Sequence, residues 1–276
     1  MRALRATLLG LLAVLLAWGL FVALAAPPPY MLPSPLRVGA VLWARSGFLL
    51  AQGWLTLVET LLGLALGALA GASAGLGTVL WPRLGRVAWP LLLVLQAMPV
   101  FALAPLLVLW FGFGLVSKVV MAALVIFFPV ASAFADGLRR TEPDLVDAAA
   151  LTAATHWQTL RLVRIPLAMP ALVTGLRVAA PLAPLGAVIG EWVGASGGLG
   201  FVMIQANARM QTDLMFAALI LLAAMTLLLR ALVDEFAPRL APWASEDAAP
   251  PLSTLLFRRK PASCDPSAPP QRSPSR

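Results

Sequence analysis

One cysteine, Cys264, and one histidine, His156, are all that the 276 residues offer of the commonest zinc ligands. A disulfide framework, a Cys-based metal site and zinc chemistry are excluded with them. Charge is scarce too. Asp, Glu, Lys and Arg make up 12% of the chain against about 25% in an ordinary soluble domain, whereas hydrophobic residues reach 61% against about 45–50%. No G-x-x-x-x-G-K-[ST] loop is present to cradle a nucleotide, so any powered work draws its energy from another polypeptide. The net charge of +8 does not mark a nucleic-acid binder, because the arginines fall in short clusters between apolar runs rather than along one amphipathic face. No catalytic or metal-ligating constellation stands out.

What remains is oil. A spanning helix needs about 20 mostly apolar residues, and six segments supply them: 8–26, 55–80, 87–111, 116–135, 167–190 and 214–233. The fold class is therefore all-α, a polytopic membrane helix bundle of about six transmembrane helices. The first segment has a second reading as a secretory signal, with Arg2 and Arg5 ahead of the apolar run and Ala23-Leu24-Ala25 resembling a cleavage site. Its length and the three prolines behind it favour retention as a helix. Three regions follow: 1–54, a first helix and an outer connection; 55–236, the membrane core; and 237–276, a Pro/Ser/Ala-rich tail expected to be disordered. Arginine and lysine set the orientation. With both termini in the cytoplasm, Arg2, Arg5, Arg83, Arg86, Arg139, Arg140, Arg161, Arg164 and Arg239 lie inside, and only Arg37, Arg45, Lys118 and Arg209 lie outside.

Several spans carry helix-disturbing prolines, at 99, 105, 129, 181 and 184, which lipid tolerates only where neighbours satisfy the freed carbonyls. In the second span Gly63, Gly67, Gly71 and Gly75 recur every fourth residue, a row that lets another helix approach closely. Ionisable groups inside the spans read as Glu59, Arg177 and Glu191. Arg177 and Glu191 are fourteen residues apart, about 21 Å along a helix, and cannot pair. Two readings fit Arg177, a polar pathway or a side chain reaching the headgroups. Two fit Glu191, an outer gate or a satisfied helix-end carboxylate. A proton- or sodium-coupled carrier usually needs buried carboxylates, and this chain has few.

Residues 139–166 join the fourth and fifth segments and are too long for an ordinary helix connection. Leu145, Ala148, Ala149 and Thr152, then Trp157, Leu160 and Val163, recur at helical spacing until Pro166 stops the pattern. Asp144 and Asp147 stand at the front and Arg161 and Arg164 at the back, as the helix dipole favours. The spacing predicts two short helices across the cytoplasmic face, with a small-residue surface that a partner can approach.

That segment resembles the cytoplasmic signature of permease subunits of ATP-binding-cassette (ABC) importers, E-A-A, three residues, G, nine residues, I-x-L-P. Asp147-Ala148-Ala149 matches the start, Ala153 the glycine and Val163-Arg164-Ile165-Pro166 the end, with Asp for Glu and Ala for Gly. The resemblance extends through "MPVFALAPLLVLWFGFG", "IPLAMPALVTGLRVA" and "GEWVGASGGLG" to the branch serving nitrate, sulfonate, taurine and related solutes. "NARMQTDLMFAAL" is similar to permeases for the pyrimidine precursor of thiamine, hydroxymethylpyrimidine.

The resemblance implies a type I ABC importer permease in a bacterial inner membrane. It pairs with a second copy or with a close relative, is fed by a periplasmic or lipid-anchored binding protein, and is driven by two ATPase subunits that hold ATP and magnesium; the chain binds no cofactor itself. It assigns Asp147, Ala148, Ala149, Ala153, His156, Trp157, Val163 and Pro166 to the ATPase-coupling surface. Arg177, Pro181, Pro184 and Glu191 are the pathway or gate candidates, and Gly197, Gly198 and Gly200 an outer turn. A self-contained secondary carrier and a non-transporting membrane scaffold are the competing readings.

Overall fold

The computed structural model describes residues 2–244. The tail beyond, with Cys264 and the basic cluster Arg258, Arg259 and Lys260, lies outside the described residues. The helices run as α1 (Arg2–Ala25), α2 (Pro35–Ala44), α3 (Ser46–Leu80), α4 (Pro82–Ala97), a 3₁₀ turn (Val100–Leu103), α5 (Ala104–Phe111), α6 (Leu115–Arg139) and α7 (Pro143–Leu151). After these come α8 (His156–Gly194), α9 (Leu199–Ala208) and α10 (Thr212–Leu240). Four of them, α3, α6, α8 and α10, are long and apolar enough to cross a bilayer.

Local chemistry explains most boundaries. Ser34 caps α2 by accepting from the Arg37 amide, and Pro35 fills the first turn, where a missing N–H costs nothing. Two helices run past the apolar runs that mark them: α3 starts at Ser46, ahead of the run 55–80, and α10 continues beyond 233 to Leu240. The expected third span, 87–111, is not one helix. Pro99 lacks an amide donor and disfavours helical Met98, so the helix stops at Ala97 and restarts only after the 3₁₀ turn, with Pro105 in the first turn of α5.

The core is built around α6. On one side the row Gly63, Gly67, Gly71 and Gly75 of α3 is buried against it. A Cβ at Gly67 would lie 2.7 Å from the Ala123 carbonyl oxygen, and one at Gly71 would lie 2.6 Å from that of Phe127. On the other side α8 does the same: a Cβ at Gly175 would sit 2.8 Å from Ala133 Cβ, and one at Gly186 2.7 Å from Ala122 Cα. Met121, Ala122, Ile126, Val130 and Ala131 of α6 are completely buried between them. A second cluster joins α2, α9 and α10 through Val38, Leu199, Val202, Leu214 and Ala218, with Trp18 of α1 stacked on Phe216 at 5.7 Å.

Only 17% of the apolar window of α10 is buried inside the chain. An apolar helix left bare on most of its circumference suits lipid or another membrane helix, not water.

Replacing Gly71 by leucine is expected to destabilise the folded chain by about 3 kcal/mol, since the carbonyl it meets is backbone and cannot swing aside. Gly77→Ala, whose nearest new neighbour is Trp81 at 4.0 Å, should be tolerated. Thermal unfolding of the two variants in detergent micelles checks the difference.

Candidate functional site

Residues 139–166 form an elbow. The Arg140 amide donates to the Asp136 carbonyl and ends α6, and Pro143 opens α7. The end of α7 is closed by a bond from the Ala154 amide to the Ala149 carbonyl at 3.3 Å, with Ala153 between them at φ 56°. This is the helix-terminating geometry that ordinarily takes glycine in the left-handed position. The signature's glycine position therefore keeps the glycine conformation while carrying a methyl group, at a cost of about 1–2 kcal/mol.

Thr155 then caps α8 reciprocally. Its Oγ1 accepts from the Gln158 amide at 3.3 Å, and Gln158 Oε1 accepts from the Thr155 amide at 2.8 Å. This T-x-x-Q box is written in the sequence and is a known helix-start signature, yet periodicity alone did not single it out.

Two expectations about the elbow are corrected. Its second half is not a separate short helix, and Pro166 does not stop it. Residues 160–164 form a π-helical turn, with the Ile165 amide bonded to the Leu160 carbonyl. The wider turn makes room for the Pro166 ring, which in a regular helix meets the carbonyl four residues back, so the helix continues from His156 to Gly194.

The base of the elbow is anchored and its outside is bare. Leu160 is fully buried with Val79, Phe134, Leu138 and Ala168. Asp147, Ala148, Ala153, His156 and Trp157 are exposed; Ala149, Val163 and Pro166 are half-buried. Leu151 is 91% exposed and Leu162 71%, large apolar side chains left uncovered by the described residues.

At the other end of the bundle a buried polar network holds α3, α6, α8 and α9. Lys118 Nζ meets Glu59 Oε1 at 2.9 Å, and both side chains are buried. Glu191 is 1% exposed; its carboxylate accepts from Thr56 Oγ1 at 2.6 Å and from the Gly200 amide at 2.5 Å. Thr56 Oγ1 accepts from the Leu199 amide at 2.8 Å, and Gln52 Oε1 from the Gly198 amide at 2.7 Å. Three amides at the start of α9, orphaned by helix geometry, are thus satisfied by side chains from α3 and α8.

The Glu191 carboxyl group is hydrogen-bonded on both oxygens at the start of α9. The outer glycines are packed tightly. Gly198 adopts φ 105°, and a Cβ there would run into the Glu191 carboxyl group. The outer turn is buried and tied by hydrogen bonds.

Arg177 belongs to an ion cluster with Asp234 and Arg230. Its Nε meets Asp234 Oδ1 at 2.9 Å; Arg230 Nε meets the other oxygen at 2.8 Å, and Arg230 Nη1 donates to the Arg177 carbonyl at 2.6 Å. Lys118 and Arg230 add two charges to those read within the spans. The R-x-x-x-D spacing of Arg230 and Asp234 was the available signal, but the sixth segment was closed at residue 233. Pro181 sits half-buried in a 3₁₀ turn of α8, and Pro184 is buried next to Ala183, which packs with Ile126, Val130 and Leu229. The sequence candidates therefore lie in different places: eight belong to the elbow, Glu191 to the outer network, Arg177 to an ion cluster and the two prolines to the 3₁₀ turn of α8 and the residues just after it.

Comparison with known proteins places this geometry. The profile of the family described as "Binding-protein-dependent transport system inner membrane component" matches residues 63–242. A probable ABC transporter permease protein of Haemophilus influenzae is 46% identical, over 80% of this chain and 90% of its own. The riboflavin transport system permease protein RibX of Chloroflexus aurantiacus is 38% identical, over 84% and 88% respectively. The formylaminopyrimidine transport permease protein ThiX of Halalkalibacterium halodurans is 34% identical, over 78% and 86%. Among solved structures, the inward-facing MetNI methionine ABC transporter has a chain that superposes with a TM-score of 0.61 at 22% identity, over 70% of this chain and 95% of that one, a likeness of fold.

Removing the partner of a buried charge is costly. Lys118→Met should destabilise the chain by about 3–5 kcal/mol, and the double change with Glu59→Gln should restore most of that, measured by thermal unfolding. At the elbow, Ala153→Gly should stabilise the α7–α8 turn by about 1 kcal/mol, seen as slower amide exchange at Ala154.

Proposed function

This chain belongs to the family of binding-protein-dependent transport system inner membrane components, the multi-pass permease subunits of ABC importers, and on that footing we propose that two copies form a solute pathway driven through the elbow. Each of two ATPase subunits, holding ATP and magnesium, receives α7 and the first turns of α8 in a surface cleft. A periplasmic or lipid-anchored binding protein delivers the solute to the opposite end. The amino and carboxyl termini lie on the cytoplasmic side, with the elbow.

The observation that carries this reading is the elbow's construction. Alanines and bare leucines cover α7, while the capping box and buried Leu160 tie α8 firmly to the bundle. An exposed surface of small and apolar residues beside a firmly anchored helix start suits a protein partner. A push on α7 enters α8 directly, because one continuous helix of 39 residues runs from the elbow to Gly194.

For the solute we propose a pyrimidine-type nitrogen heterocycle, the thiamine pyrimidine precursor before the sulfonate, taurine or nitrate alternatives. Two relatives support it by name, one for formylaminopyrimidine and one for riboflavin, whose ring system contains a pyrimidine. A taurine permease of Escherichia coli is also similar, at 31% identity, which keeps the sulfonate class as the second reading.

Uptake of labelled hydroxymethylpyrimidine, riboflavin and taurine by cells expressing the chain with its ATPase and binding protein tests both parts. ATP-dependent accumulation of the first, absent for taurine, is the expected pattern; uptake that persists without the ATPase would refute the permease reading. Ala149→Glu should weaken ATPase copurification by about 30-fold or more and abolish uptake while the chain stays in the membrane, because it places an unpaired charge in the docking surface.

A further inference from the structure

Where α3 ends and α4 turns back, a cavity of about 540 Å³ opens at the elbow's end of the bundle. Four helices wall it: α3 supplies Thr78, α4 supplies Gly85, Arg86 and Trp89, α6 supplies Arg139, and α8 supplies Arg164. Gly85 makes the fold-back possible, since a Cβ there would lie 2.7 Å from the Thr78 carbonyl oxygen.

The cavity holds three arginines and no carboxylate. Among the described residues none of the three forms a salt bridge. Arg164 closes the π-helical turn, and its Nε is shielded from solvent without a hydrogen-bond acceptor. A guanidinium N–H left unmatched in that way is costly unless something accepts from it. Arg139 is already positioned, its guanidinium 4.8 Å above the Trp89 ring, which in turn packs on Phe128 at 6.2 Å between centroids. Three guanidinium groups lining one cavity without a carboxylate suit the oxygens of a phosphate.

A second observation says how such a phosphate is presented. From the cavity outward, Val87, Leu91 and Val94 of α4 are 63%, 60% and 63% exposed. They recur at i, i+4 and i+7 and so form one apolar stripe that begins beside Arg86 and Trp89. An anionic head next to an apolar track is the shape of a phospholipid, and tryptophan favours the level where head and tail meet.

We propose that this cavity binds the phosphate headgroup of an anionic phospholipid through Arg86, Arg139 and Arg164, with an acyl chain along Val87, Leu91 and Val94. The bound lipid bridges α4, α6 and the start of α8, directly behind the elbow. Assignment to the cytoplasmic leaflet rests on the orientation proposed above; the binding itself does not.

The full-length chain in detergent micelles is titrated with phosphatidylglycerol, phosphatidylcholine or inorganic phosphate, with retained lipid read by native mass spectrometry and stability by thermal unfolding. Phosphatidylglycerol should be retained in preference to phosphatidylcholine and raise the unfolding temperature. Affinity should fall about fivefold for each arginine removed in Arg164→Gln and Arg86→Gln, while Arg164→Lys keeps most of it. Arg86 is exposed, so its variant should fold even if that at Arg164 does not.

Stabilisation by inorganic phosphate alone, lost in the same variants, would support the phosphate site and assign it to a free ion instead of a lipid. Equal retention of the two lipids, or retention unchanged when both arginines are replaced, would overturn the proposal. None of these readouts needs transport. A chain inactive in uptake that still retains phosphatidylglycerol through these arginines would count against the proposed solute and coupling and leave the lipid site standing.

Discussion

Close backbone approach is the interaction on which this structure depends. Within a bilayer, lipid tails are as apolar as leucine, so helices gain little by burying oily side chains against each other. Packing must then come from contact distance. Glycines of α3 and α8 grip α6 from two sides, bringing their backbones against its carbonyls and alanines. With α6 held in this way, its last turn positions the elbow and its first turn positions Lys118.

The polar groups follow the opposite logic. Ionisable groups along the long helices are few, and three sets of them have partners within the chain: Lys118 with Glu59, Arg177 and Arg230 with Asp234, and the Glu191 carboxyl group with a hydroxyl and an amide. Short α9 would otherwise begin with unsatisfied amides where water is scarce, a severe cost in a membrane. Gln52, Thr56 and Glu191 remove that cost, and in doing so they fasten α9 to two long helices at once.

The parts visible in the sequence were those set by local pattern. The apolar runs marked α3, α6, α8 and α10, and the four-residue glycine spacing marked a contact face. Its partner was invisible, because nothing in a single chain says that Phe127 rather than another residue will lie opposite Gly71. The elbow was located by its signature, and the left-handed turn survived the loss of its glycine because the Ala149 carbonyl and the Thr155 box hold it from both sides. Pro166 misled, since a proline rule written for regular helices does not cover a π turn. Glu59 and Lys118 are 59 residues apart, and their pairing is a product of the α3–α6 contact that no spacing rule reaches.

The length of α8 has a geometric corollary. Glu191 lies thirty-five residues beyond His156 on the same helix, about 50 Å at an ordinary rise per residue. Treated as a stiff rod pivoting at Leu160, α8 would convert a rotation of roughly 5° into a sweep of about 4 Å at its distal tip. Because that tip is hydrogen-bonded to the head of α9, even a modest rocking at one membrane surface would be delivered, magnified, to the opposite face.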